Sequence, residues 1–286
     1  MQPCCDVFQI KDGNVVSFLC YLAATVLFGQ LGVLGNRSGP QALIGCLPFP
    51  VRMPMIERRS FDELPLEDLG WLKVRRHVFC SDEGDLSPGG WGCMRAWNEE
   101  EVTSNCGFEP EKYANIEIIT YVCEGAVTHR DSFGSEVKVK TGNVQVLSAG
   151  TGIRRGEYNL EPASARIFRI WIAPASPGGA PAWGVHPCPP EQASGCFVPI
   201  ASGFKSDCEA LPIRGRARVL KAMLRSGQTI THVFRKLRLA YLVPSSGVVD
   251  INGVRICARD GAAIKDEDLV TITAIEEADL VMVDVQ

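Results

Sequence analysis

The stretch GFEPEKYANIEIITYVCEGAVTHRDSFGSEVKVKTGNVQVLSAGTGIRRGEYN, Gly107–Asn159, decides the fold. Apolar residues alternate in it at Ile116 and Ile118, at Val137 and Val139, and at Val144 and Val146. A period of two is the signature of a strand with one buried face. Gly125, Gly134, Gly142, Gly150 and Gly152 cut the alternation into short segments joined by tight turns. Many short strands expose many unpaired edges, and closure into a small β-barrel removes them. The stretch therefore predicts a barrel.

Working outward, Arg166–Pro174 (RIFRIWIAP) alternates Ile167, Arg169 and Trp171 against Phe168, Ile170 and Ile172, and completes that barrel. Residues 181–195 are rich in Pro and Gly and read as a linker, unsuited to helix or central strand. Residues 196–286 return to short strands, with Asn252-Gly253 a strong hairpin signal. The organisation expected is thus a first β-domain over 55–180, the linker, and a second β-domain over 196–286. At 286 residues and 46% hydrophobic content the chain supports two cores.

Residues 1–54 stand apart. Phe18–Gly35 is an apolar run interrupted only by Thr25 and Gln30, just long enough to cross a bilayer. Asp6, Lys11 and Asp12 precede it, so it lacks the positive flank of a signal peptide. Arg37, Arg52, Arg58 and Arg59 follow, and would keep the rest of the chain on the cytoplasmic side of a membrane if the run is an anchor. The other reading is a start codon assigned too early, ahead of a cytoplasmic protein.

The net charge of −4 and the lack of a basic stripe speak against direct nucleic-acid binding. There are four histidines, His77, His129, His186 and His232, no two of them close in sequence. His129 precedes a turn at Asp131-Ser132 and is expected to face solvent; His77 reads as a hydrogen-bonded structural residue, and Trp91 and Trp97 as core. The twelve cysteines form no C-x-x-C pair. Reduced, mostly buried thiols of a cytosolic protein explain them better than a zinc site or a disulfide scaffold. Cys106, which abuts Gly107, is the redox candidate if it is exposed.

The phrases EIITYVCEG, THRDSFG, TGNVQVLSAGTGI and EYN resemble the first barrel of the pirin family, a branch of the bicupins. The resemblance extends from Met55 (MIERRSFDELP, then GWL and the Arg-His-x-Phe phrase) to Gln286. It implies an all-β bicupin, two cupin β-barrels in tandem. It further implies iron or a similar metal in the first barrel, held by a His-x-His pair after the Gly-Phe and then by a His and a Glu. For some members it implies flavonol cleavage of the quercetin 2,3-dioxygenase type, for others a transcription-cofactor or redox-sensing role. The four matching positions here hold Glu111, Tyr113, Arg155 and Glu157, so three of the four differ from the family pattern.

The chemistry of that replacement is informative. Arginine keeps its proton in a protein and cannot ligate a metal. Its guanidinium pairs carboxylates through a bidentate fork, which makes Glu111 and Glu157 the expected partners of Arg155. An internal salt bridge in place of the metal is the resulting expectation. With no cofactor expected, the reading is binding of a small-molecule ligand or a protein partner, or redox sensing. The alternative is a metal-dependent dioxygenase in which Glu111, Glu157 and Tyr113 hold Fe²⁺ or another divalent ion.

Overall fold

The structure is a computed structural model and describes residues 6–11, 14–20, 55–79, 91–188, 193–234 and 239–285. The chain divides into two compact units, Met1–Val51 and Arg52–Gln286. In the first unit β1 (Asp6–Lys11) and β2 (Asn14–Cys20) form an antiparallel hairpin. The apolar run Phe18–Gly35 begins in β2 and from residue 21 lies outside the described residues. Among the described residues no helix is long and apolar enough to cross a membrane.

The second unit is two β-barrels, each made of two sheets. The larger sheet of the first barrel runs β14 (Ala182–Pro187), β11 (Asn143–Ser148), β8 (Glu117–Glu124), β13 (Ala165–Ile172), β6 (Met94–Val102), β5 (Leu72–Phe79), β4 (Leu66–Asp68). The smaller runs β10 (Glu136–Lys140), β9 (Ala126–Asp131), β12 (Ile153–Asn159), β7 (Cys106–Tyr113). In the second barrel the larger sheet runs β16 (Leu211–Pro212), β15 (Val198–Ser202), β17 (Ala217–Leu224), β24 (Ala278–Val285), β19 (Leu239–Ser246), β22 (Gly261–Lys265), β3 (Met55–Arg59). Its smaller sheet is β18 (Thr229–Val233), β23 (Leu269–Ala274), β20 (Val249–Ile251), β21 (Val254–Ile256). Among the described strands the pairings are antiparallel except the short β15–β16 contact, and the isolated Ser194–Met223 bridge is also parallel. The all-β bicupin expected from the sequence is what the chain forms.

Two boundaries differ from the sequence expectation. Met55–Arg59, placed at the head of the first domain, instead pairs with β22, Ile56 opposite Ile264, and so belongs to the second barrel's sheet. Ile56 packs there against the second barrel's core. The supposed linker contains β14, which pairs with β11 along its full length, Asn143 opposite Pro187 and Ser148 opposite Ala182. β14 is an edge strand, the place in a sheet where a proline without an N–H is tolerated.

Two kinds of interior result. The second barrel is filled by aliphatic side chains, among them Leu220, Leu242, Ile264, Ile272 and Met282, all buried. The first has apolar packing at two levels, around Val122, Val127, Val139 and Ile167 and around Ile118, Leu147 and Ile153. The buried polar side chains Glu100, Thr120, His129, Arg155, Glu157 and Arg169 also belong to its strands. The large sheets of the two barrels share a third core, in which Tyr121, Val144 and Phe168 meet Val219, Tyr241 and Val281.

Candidate functional site

β12 carries the centre of the site. It lies between β7 and β9, with Arg155 opposite both Glu111 and Asp131, and Glu157 opposite Phe108 and His129. The register between β12 and β7 slips by one residue there: Glu109 and Pro110 stand against Gly156 alone. Such a bulge bends the strand and re-aims its side chains, and it accommodates Pro110, which has no N–H for a ladder. Gly156 is required at this point, because a Cβ would lie 2.9 Å from the Phe108 carbonyl oxygen. Gly107 is required for the same reason, since its Cβ would lie 2.4 Å from the Glu157 carbonyl oxygen. Asn159 locks the far end of β12 by donating to the Val102 and Ala163 carbonyls at 2.9 and 2.8 Å.

Within this frame Arg155 and Glu157, each 3% exposed, form a buried ion pair. The Arg155 Nε also donates to His129 Nδ1 at 3.2 Å, and an Nη to Thr120 Oγ1 at 3.4 Å. A nitrogen that accepts from an arginine carries no proton, so the His129 proton resides on Nε2 and is donated to Asp131 Oδ2, 3.2 Å away. Arg169 from β13 completes the group. Its Nε lies 2.9 Å from both oxygens of Glu100, and its Nη2 lies 3.0 Å from Glu157 Oε1. Its guanidinium also covers the ring of Phe108, 4.9 Å from the centroid. Glu157 thus accepts a hydrogen bond from Arg169 and is ion-paired with Arg155, and the four charges of Arg155, Arg169, Glu100 and Glu157 sum to zero.

Burial, and then the neighbouring Arg169 cation, push the Arg155 guanidinium down to about 9, which leaves it charged at neutral pH. Burial lowers the His129 imidazole, and the Arg155 cation adds to the effect. Asp131 is held below the usual carboxylate range. Burial opposes its ionisation, but hydrogen bonds from the Ser135 and Phe133 backbone and from His129 together outweigh it.

Glu100, Arg155, Glu157 and Arg169 face a cavity of about 250 Å³ whose aromatic walls are Phe108, Tyr113 and Trp171. Asn98 Oδ1 and Trp171 Nε1, from two residues that line it, are buried without a hydrogen-bond partner. The Glu67–Arg76 ion pair and Leu69 are further parts of its lining. Among the described residues no three of His, Cys, Asp and Glu are grouped so that they could hold a metal ion.

Of the residues singled out in the sequence, Glu111, Tyr113, Arg155 and Glu157 all line this one cavity. Glu111 differs from expectation in its partner. It is exposed, and accepts from the Tyr113 hydroxyl at 3.1 Å instead of pairing with Arg155. Cys106 is half-buried against the cluster of Leu72, Val74 and Val102, and does not line the cavity. His129 is not at the surface but fully buried. The alternation Val127, His129, Asp131 puts it on the inner face, a period that outweighs its nearness to the turn. Arg169, Glu100 and His129 are the functional residues that sequence reasoning missed. The signal for Arg169 was a charge set in the middle of the apolar run IFRIWI, on the same face as Trp171.

Comparison with known proteins agrees with this architecture. The pirin family model matches residues 69–172, and the model of the quercetinase C-terminal cupin domain matches residues 200–285. A pirin-like protein of Caulobacter vibrioides is 53% identical over 230 residues, covering 80% of this chain and 99% of the relative. The chain belongs to the pirin family. A quercetin 2,3-dioxygenase of Escherichia coli is 30% identical over 233 residues, covering 80% of this chain and 98% of the relative. The crystal structure of the bacterial pirin YhhW from Escherichia coli in complex with nickel(II) superposes with a TM-score of 0.73. It is 28% identical and covers 81% of this chain and 99% of its own.

The site of this pirin makes two measurable demands. Arg169→Ala leaves both Glu100 and Glu157 short of a partner, and should lower the unfolding free energy by roughly 3–5 kcal/mol. Arg155→Ala leaves Glu157 paired with Arg169, and should cost less, about 1–3 kcal/mol, for the hydrogen bonds lost at His129 and Thr120. Chemical denaturation of both variants checks the order, and an Arg155→Ala loss larger than that of Arg169→Ala contradicts it.

The second demand concerns pH. The folded state lowers the His129 and His77 imidazoles, the latter by burial above all. Their neutral forms therefore support the fold fully above the unfolded value of about 6.5, and that contribution is lost as pH falls below it. Unfolding free energy measured from pH 8 to pH 5 should decline below about 6.5, with a shallower decline in His129→Gln. An unchanged slope in the variant excludes His129 as a contributor.

Proposed function

We propose that this pirin works without a metal and uses its first barrel to bind a small, uncharged, planar molecule. The observation that carries the reading is Arg155, a buried cation bonded to His129 and Glu157 at a position where the family pattern has a ligand histidine. The side chains do not fit a divalent ion. Arg155 and Arg169 already engage the Glu157 carboxylate. A second cation beside two guanidiniums would meet repulsion in a medium of low dielectric. The other available oxygen donors, Glu111 and Tyr113, bond each other instead of converging on Glu157.

The character of the ligand follows from what the cavity leaves unfilled. Its buried charges are balanced, so a charged guest would have no counter-charge. Asn98 and Trp171 line it, and their Oδ1 and Nε1 atoms lie buried and unpartnered behind its wall. Phe108, Tyr113 and Trp171 supply aromatic surface for a flat ring system. His129, Asp131 and the arginines hold the pocket in shape, and no proton transfer or oxygen chemistry is assigned to them.

Metal content tests the reading. After exhaustive dialysis, elemental analysis should find no stoichiometric iron, nickel or other divalent ion in the parent protein. The variant Glu111→His, Tyr113→His, Arg155→His, which retains Glu157, should take up about one equivalent of Fe²⁺ as a three-histidine, one-carboxylate site of the type suited to non-haem iron. One tightly bound equivalent in the parent would overturn the proposal and favour a dioxygenase of the kind that the Escherichia coli relative is named for.

A further inference from the structure

Glu111 and Arg155 stand opposite each other on β7 and β12, where facing Cβ atoms lie about 5 Å apart. Opposite charges at that spacing ordinarily pair. These two do not. Arg155 turns inward to Glu157, His129 and Thr120. Glu111 stays with the Tyr113 hydroxyl, which donates to its Oε2 at 3.1 Å. Both residues nevertheless line the cavity of the first barrel. That cavity therefore holds a carboxylate and a guanidinium that do not neutralise each other by direct contact.

The guanidiniums also keep donors in reserve. Arg155 commits Nε to His129 and Nη2 to Thr120 and Glu157. Arg169 commits Nε to Glu100 and Nη2 to Glu100 and Glu157. The Nη1 group of each has no hydrogen-bond acceptor among the described residues, and, unlike Arg166 Nη1, neither is sealed from solvent. Arg155 and Arg169 both line the cavity, so these N–H groups open into it. The Tyr113 hydroxyl shows that the charges converge there. Burial raises it above its usual range, the Arg169 and Arg155 cations act against that, and Glu111 adds to it.

Cationic N–H donors in one part of a cavity and a carboxylate in another are the parts needed to remove a proton from the carbon beside a carbonyl group. The donors hold the oxygen on which charge develops, and the carboxylate takes the proton from the neighbouring carbon. A direct ion pair between them would occupy both. We propose that the cavity catalyses enolisation of a small, planar, uncharged aryl ketone, with Glu111 as the base and the Nη1 groups of Arg155 and Arg169 as donors to the enolate oxygen. This activity rests on the first barrel being a metal-free pocket for such molecules. In the step, the C–H bond α to the carbonyl breaks and its proton moves to the Glu111 carboxylate. The C–H electron pair becomes the C=C bond, and the carbonyl π pair moves onto the oxygen held by the two guanidiniums. Return of the proton from Glu111 to carbon restores the ketone, and its delivery to oxygen gives the enol. The substrate is neither oxidised nor reduced, so no co-reactant is consumed. Tyr113 is a positioning residue, holding the carboxylate through its hydroxyl.

Hydrogen exchange of 2-indanone in heavy water tests the activity, followed as loss of its methylene signal by proton NMR with a chelator present throughout. The full-length protein should exchange the methylene hydrogens at least about tenfold faster than buffer alone. Quenching of tryptophan fluorescence should show the ketone binding saturably. Glu111→Gln changes an exposed side chain and keeps an acceptor for Tyr113, so it should fold and bind 2-indanone as the parent does. Its protein-dependent exchange should fall by about a hundredfold, the scale of a lost general base. The activity alone is overturned if bound 2-indanone exchanges no faster than in buffer, or if Glu111→Gln exchanges as fast as the parent; saturable binding then leaves the pocket itself standing. Absence of saturable binding overturns the pocket and the activity together.

Discussion

The Glu157 carboxylate, held by Arg155 from its own strand and by Arg169 from the opposite sheet, is the interaction on which the first barrel depends. A barrel that keeps charged side chains inside must balance them, because an isolated ion in so low a dielectric is far more costly than a paired one. Here Arg155 and Arg169 balance Glu157 and Glu100. Arg169 brings in Glu100, and Arg155 brings in His129 and through it Asp131. The chain of contacts runs through β6, β13, β12 and β9, so it joins the two sheets across the interior as well as filling it.

The second barrel solves the same problem by avoiding it. Its interior is mainly aliphatic, with His232 and Asp284, 3.9 Å apart, as a polar exception. The difference places the cluster of buried charges in the first barrel. It also explains why β3 can be lent to the second barrel from the far end of the chain, since the pairing of Ile56 with Ile264 needs only apolar packing and a free sheet edge. The seam between the large sheets is mainly apolar, and the Lys221, Tyr121 and Asp279 cluster is a polar exception in it.

Much of the fold was legible in the sequence because strands announce themselves locally. The alternation at Val144 and Val146 and the Asn252-Gly253 turn are read from neighbours, and β11 and the β20–β21 hairpin stand where they indicate. What was not legible depends on partners distant in sequence. Nothing in MIERR tells that it will pair with residues some two hundred positions on, and the prolines around β14 disguise an edge strand as a linker. At the site, the position of Arg155 was readable from phrase resemblance, but its true companions were not. Glu111 is its cross-strand neighbour and yet points to Tyr113, because the bulge at Glu109 and Pro110 shifts β7 against β12. His129 was misplaced because turn residues beside it drew attention from its alternation with Val127.

The proposed replacement of a metal by the Arg155 guanidinium is tested most directly by diffraction from crystals soaked in nickel(II) and recorded at the nickel absorption edge. The expected map has no anomalous peak inside the first barrel, and shows continuous density for the Arg155 guanidinium between His129 and Glu157. An anomalous peak bonded to Glu157, with Arg155 swung out of the cavity, would contradict the account.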